Sequence, residues 1–142
     1  MILRIATITT GIHIGPFKIP ANGQNMIMNN YAFRNQIIVD FTIPEPIMSD
    51  SLQTVQWMHH KKKFSKLILC SIHQLPSNKI AIKKLINNLS KVEFHFALEG
   101  IKGKGKKFLS DCIKEKNIFQ KANKIKPKKI SWVKLSNLIK KK

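Results

Sequence analysis

Several side chains in this 142-residue chain could do chemistry, and they fall at the ends of four apolar stretches. Thr9 and Thr10 close the first, with His13 just beyond. Thr42 and Glu45 close the second, Ser71, His73 and Gln74 the third, and Glu99 the fourth. Ser71 could serve as a nucleophile, and Glu99, a carboxylate at a strand end, as a general base, so these two are the catalytic candidates. Thr10, Glu45, His73 and Gln74 are candidate ligand contacts. Plainer roles compete. No G-x-S-x-G elbow surrounds Ser71, which also reads as a small packing residue. Gln74 could simply stabilise the turn before Pro76, and Glu99 could pair with a nearby lysine. His95 alternates with Phe94 and Phe96, as a buried and satisfied histidine would. No H-x-H or H-E-x-x-H pattern occurs and carboxylates are scarce, so no metal is expected. "GKGKK" lacks the spacing of a phosphate-cradling loop, and no cofactor is expected either.

These side chains need a scaffold, and hydrophobic periodicity outlines one. Residues 2–10 ("ILRIATITT"), 37–43 ("IIVDFTI"), 66–72 ("KLILCSI") and 92–98 ("VEFHFAL") read as strands. "GIHIGPFKIPANG", with three glycines and two prolines, reads as an irregular loop. Residues 24–36 place Ile27 with Tyr31 and Met28 with Ala32 at helical spacing. A second helix is expected from Ser49 or Asp50, carrying Leu52, Val55 and Met58. A third follows a cap at Ser77 or Asn78, with Ile82, Leu85, Ile86 and Leu89 on one face. Strands alternating with helices imply a small doubly wound α/β fold on a mainly four-stranded parallel sheet. In such a sheet the strand tips share one rim, where ligands bind. Residues 1–102 form this domain. After it, "GIKGKGKK" reads as a basic link to a lysine-rich, helical extension over 103–142, ending in an amphipathic segment around Trp132, Leu135, Leu138 and Ile139.

Charge is distributed unevenly. The net charge is +19. Residues 1–58 balance Arg4, Lys18 and Arg34 against Asp40, Glu45 and Asp50, whereas residues 59–142 carry 23 lysines and four acids. That asymmetry fits a polyanion partner, either nucleic acid or an anionic membrane surface. It also fits AT-rich coding, which favours Lys, Ile and Asn. Arginine, the better residue for bidentate phosphate contacts, does not occur after Arg34. No apolar run reaches the ~18 residues of a membrane span. The N-terminus lacks a signal-peptide pattern, and Cys70 and Cys112 form no CxxC. The expectation is a reduced, cytoplasmic protein whose tail could lie on the inner membrane surface.

"SIHQLPSN" at 71–78 and "FHFALEGIK" at 94–102, preceded by "GQNMIMNNYAFRN" and "FTIPEPIM", resemble the sporadic carbohydrate cluster proteins. The likeness spans roughly residues 3–102. It implies an accessory protein, enzymatic or not, in O-antigen- or capsule-type surface carbohydrate biosynthesis, binding a sugar or nucleotide sugar. The positions it carries over are Gln24, Asn25, Ser71, Gln74, Leu75, Pro76, His95 and Glu99. Two departures stand out: His73 replaces a phenylalanine, and Ile43 and Pro44 interrupt a Thr-Glu element, which makes Glu45 an uneven match. The pattern also resembles the catalytic domain of serine resolvases, a flavodoxin-like arrangement. The Tyr-Ala-Arg-Val-Ser start and the arginine cluster are missing, so strand exchange is not expected. The alternative function is therefore a nucleic-acid-binding module with an inactive resolvase-like domain and a basic arm. A homo-oligomer is compatible with either reading.

Overall fold

β1 (Ile5–Thr9) is flanked on both sides by parallel neighbours, and its β-branched residues fill the two faces of the sheet. The computed structural model describes residues 4–10, 12–14, 17–45 and 52–124. β1 is followed by a short antiparallel hairpin, β2 (Ile12–Ile14) and β3 (Phe17–Ile19), and by helix α1 (Ala21–Arg34). Next come β4 (Phe41–Pro44), α2 (Gln53–Lys62), β5 (Lys66–Leu69), a 3-10 turn (Ile72–Gln74) and α3 (Lys79–Asn88). β6 (Glu93–Phe96), β7 (Ile101–Gly103) and α4 (Lys106–Lys124) complete the described chain.

The sheet order is β4-β1-β5-β6-β7, with the first four strands parallel and β7 antiparallel. The doubly wound expectation holds for these four strands, and β7 adds a fifth at the edge. Ile5 pairs with Lys66, and Lys66 with Glu93, so three strands begin level with one another. The chain reverses between β6 and β7 in a turn closed by Gly100 N donating to Phe96 O at 2.8 Å. Gly100 adopts a φ of 65°, which a residue without Cβ takes at no steric cost.

One face of the sheet carries Ala6, Ile8, Ile43, Leu67, Leu69, Phe94 and Phe96, covered by α2, α3 and α4. Val55, Leu85, Leu89, Leu109, Cys112 and Ile113 project from those helices into the same core. Burying each large side chain here contributes about 1.5–3 kcal/mol. α1 covers the other face, setting Met28 and Ala32 on Ile68 and Cys70. The helical spacing of Met28 and Ala32 thus points inward as the sequence implied. Asn78 caps α3 by accepting from Ile80 N at 2.8 Å and Ala81 N at 3.4 Å.

Three local expectations are corrected. The glycine- and proline-rich stretch after β1 contains the β2–β3 hairpin and opens directly into α1, with Pro20 as its N-cap. Proline there has its φ already fixed and loses no helical hydrogen bond. The second strand begins at Phe41 rather than at 37, because Gln36 turns the chain at a φ of 56°. "GIKGKGKK" is no free link: its residues Ile101–Gly103 form β7, and Lys106 and Lys107 begin α4. The expected caps at Ser49 and Asp50, and the amphipathic segment around Trp132, lie outside the described residues. Among the described residues, no helix is long and apolar enough to cross a membrane.

Candidate functional site

The carboxyl ends of the parallel strands gather most of the polar residues picked out from sequence. Gln74 lies at their centre, 5% exposed. Its Oε1 accepts from Cys70 N at 2.6 Å and Ser71 N at 3.2 Å, and its Nε2 reaches Ile8 O at 3.4 Å and Gln24 Oε1 at 3.3 Å. Gln24 Oε1 in turn accepts from Thr10 N at 3.1 Å, while Gln24 Nε2 donates to Thr10 O and, at 2.9 Å, to Ile19 O. Two buried amides therefore fasten the ends of β1 and β5 to the hairpin. Backbone donors and acceptors that no strand pairs are satisfied in this way.

Ser71 and Glu99, two of the rim residues picked out from sequence, meet here. Ser71 Oγ donates to Glu99 Oε2 at 2.9 Å, and Ile72 N donates to Glu99 Oε1 at 2.7 Å. Ser71 is wholly enclosed and its Oγ also accepts from His73 N, capping the 3-10 turn; Glu99 is exposed. His73 is half-buried, its ring edge-on to Phe119 of α4 at 4.7 Å. Burial lowers its pKa; Glu99 acts in the opposite direction and Lys116 in the same. Cys70, beside Gln74, is pushed up to about 11 by burial and then by Glu99, so it stays a thiol near neutral pH.

Beside this network a cleft of ≈ 380 Å³ opens between β1, β4 and α1, lined by Thr9, Thr10, Lys18, Gln24 and Glu45 among others. Glu45, 5% exposed, binds Thr9 O through its backbone N–H at 2.8 Å and accepts from Thr54 N at 3.3 Å. The carboxylate thereby caps α2, whose own N-cap residue, Leu52, has no side-chain acceptor. Asn25 is half-buried on α1. His95 lies apart from the rim, mid-sheet under α1 and 2% exposed. Its Nε2 donates to Glu93 Oε1 at 2.6 Å and its Nδ1 accepts from Tyr31 OH at 2.8 Å. Burial lowers the His95 pKa and Glu93 opposes that shift. Among the described residues, no cluster of three His, Cys, Asp or Glu could hold a metal ion.

The opposite pole of the sheet has a different character, which sequence reasoning missed. Helices return antiparallel to the strands they follow, so strand starts and helix ends share this pole. Arg4 precedes β1 and Arg34 ends α1. Lys61 and Lys62 finish α2, Lys63 follows as its C-cap, and Lys66 opens β5. Lys91 precedes β6, and because β7 runs antiparallel, Lys104, Lys106 and Lys107 return to the same end. Among the described residues, ten cations thus face two carboxylates, Asp40 and Glu93. Both carboxylates are already engaged, Asp40 accepting from Ile5 N at 2.6 Å and Glu93 from His95. Lys106 and Lys107 also occupy the first turn of α4, where the helix dipole disfavours positive charge. The signal was present in the sequence: lysines fall just before strands and at helix ends, positions that a parallel topology brings together.

Two solved structures share this architecture. The N-terminal catalytic domain of TP901-1 integrase is 17% identical, with a TM-score of 0.57, the match covering 84% of this chain and 97% of that one. A resolvase-family site-specific recombinase from Streptococcus pneumoniae is 14% identical, also with a TM-score of 0.57, covering 98% of this chain and 97% of that one. At such identities the likeness establishes the fold, and it bears out the resolvase-like expectation at that level. No family model and no curated protein matches the sequence. The expected place in carbohydrate, polysaccharide or lipopolysaccharide biosynthesis is overturned, since the structural neighbours are recombinase-type domains. The short motifs behind that expectation are largely the turn and rim residues that hold this fold together. These neighbours give the sugar or nucleotide-sugar ligand no support.

Proposed function

We propose that this chain binds nucleic acid through the cationic pole at the amino ends of its strands, and that it does not break the strand it binds. The observation that carries this reading is the grouping of ten cations around two engaged carboxylates at one end of the sheet. Five strands spaced ~4.8 Å apart make that end roughly 20 Å wide, enough to face several successive phosphates. Kinship of fold with an integrase and a site-specific recombinase makes nucleic acid the polyanion to test first.

The carboxyl rim supports the second half of the proposal. Stabilising a phosphoryl transfer needs fixed positive charge around the phosphate. The chain has two arginines, Arg4 and Arg34, and both lie at the far pole. Lys18 is the cation among the residues lining the rim cleft, and it shares that cleft with the Glu45 carboxylate. Lysine point charges at the other pole give backbone contacts, which position a strand without reading its sequence.

The experiment is fluorescence anisotropy on labelled oligonucleotides at several salt concentrations, paired with a nicking assay on supercoiled plasmid. The expected result is binding that weakens linearly in log–log form with salt, without nicks or protein–DNA adducts. Affinity no greater than that of an unrelated protein of equal charge would refute the binding. A covalent adduct on a denaturing gel would refute the inert rim.

A further inference from the structure

Trp57 is 58% exposed on α2, an unusual position for the largest apolar side chain in a folded domain. It borders a cleft of ≈ 340 Å³ lined by Gln56, His59, His60, Lys63 and Asn88. Lys61 Nζ lies 5.7 Å from the indole centroid, within cation–π range. Gln56 Oε1 accepts from Asn88 Nδ2 at 2.7 Å, which ties α2 to α3 across the cleft floor. His59 is braced edge-on against Phe64 at 4.8 Å. The aromatic therefore sits on a rigid element, next to a small polar cleft, with lysines on the adjoining turn of helix.

We infer that this cleft takes one unpaired nucleobase, stacked on Trp57, and that the protein consequently prefers single-stranded nucleic acid to duplex. The inference rests on the binding proposed above and adds the class of strand. A volume of ≈ 340 Å³ is at the small end of ligand pockets, suited to a single planar ring system. The base faces of a duplex are stacked on one another and closed to an indole, whereas those of a single strand are open. Lys61 and Lys63 supply cations for the phosphates flanking the base, and the Asn88 amide offers an acceptor and a second N–H to its edge. His60, exposed at the cleft mouth, faces the same strand. An isolated lysine patch would bind either form of nucleic acid alike, and Trp57 breaks that symmetry.

The test uses the full chain carrying Trp132→Phe, so that Trp57 is the sole indole. Its emission and the anisotropy of labelled oligothymidylate and oligouridylate of about 15 nucleotides are followed at fixed salt, alongside a duplex of equal length. The expected result is quenching of Trp57 by both single strands and about tenfold tighter binding to them than to duplex. Trp57→Ala should abolish that preference while leaving duplex affinity within about twofold, and Trp57→Phe should restore most of it. Circular dichroism of each variant checks that the exposed substitution leaves the fold intact. Equal affinity for single strand and duplex, unchanged in Trp57→Ala, would overturn this inference and leave polyanion binding standing. Failure to bind either form would overturn both.

Discussion

Gln74 and Gln24, fifty positions apart in the chain, meet side by side at the ends of β1 and β5, Gln74 Nε2 lying 3.3 Å from Gln24 Oε1. Through them the hairpin, the first strand and the 3-10 turn become one unit. Replacing Gln74 by alanine leaves the Cys70 and Ser71 N–H groups buried without their acceptor. The expected cost is about 2–6 kcal/mol, at ~1–3 kcal/mol for each stranded donor. Gln74→Glu keeps the acceptor for Cys70 and Ser71 but turns a second acceptor oxygen toward Ile8 O and Gln24 Oε1, so it should not recover the parent's stability. Urea denaturation of the three proteins checks the order, and an alanine variant as stable as the parent would show that the network is dispensable.

Lys106 and Lys107 stand where the dipole of α4 opposes them. Changing both to glutamate should stabilise the protein by about 0.6–2 kcal/mol, since each like-charged residue at a helix N-terminus is replaced by a favourable one. Nucleic-acid affinity should fall in the same variant, because two charges change sign and the cationic pole loses four units of net charge. Thermal melting and anisotropy on one preparation read both effects. A gain in Tm with unchanged binding would place the interface elsewhere.

His59, His73 and His95 all have pKa values held below the usual 6.5, with burial the largest cause for each. Their neutral forms are favoured in the folded chain. Below about pH 6.5 the unfolded chain takes up protons that the folded one does not, so stability should fall with acidification. It should be fully present above that pH. His95→Gln, although less stable overall, should lose less between pH 7 and pH 5, as measured by Tm. A Tm that holds steady or rises over that interval would contradict the assignment.

The strands, the parallel order and the shared rim were legible because apolar runs of strand length alternate with amphipathic helices. Met28 and Ala32, or Leu85 and Leu89, declare their inward faces by spacing alone. The hairpin was hidden because its strands are three residues long and sit among glycine and proline, where periodicity has no room to appear. β7 was hidden for the same reason. Ser71, Gln74 and Glu99 were correctly brought to one rim, but the sequence could not show that Gln74 would spend its hydrogen bonds on backbone. The cationic pole eluded the sequence most completely. Lys63, Lys91 and Lys106 are far apart in the chain, and only the return of α2 and α3 to the strand starts, and of the antiparallel β7 for Lys106, brings them to one end.

The most direct test of the account compares two variants of equal charge. One replaces Lys61, Lys63, Lys91 and Lys104 by glutamine at the strand-start pole. The other replaces Lys18, Lys79, Lys114 and Lys121 elsewhere. Anisotropy titrations of both against the parent, from low to physiological salt, give the affinity and the slope of log K against log salt. The account predicts that the first variant loses much of its affinity, with a slope shallower by about three to four, while the second stays close to the parent. Equal losses in the two would mean that the net charge binds without a defined surface, and the proposed interface would be wrong.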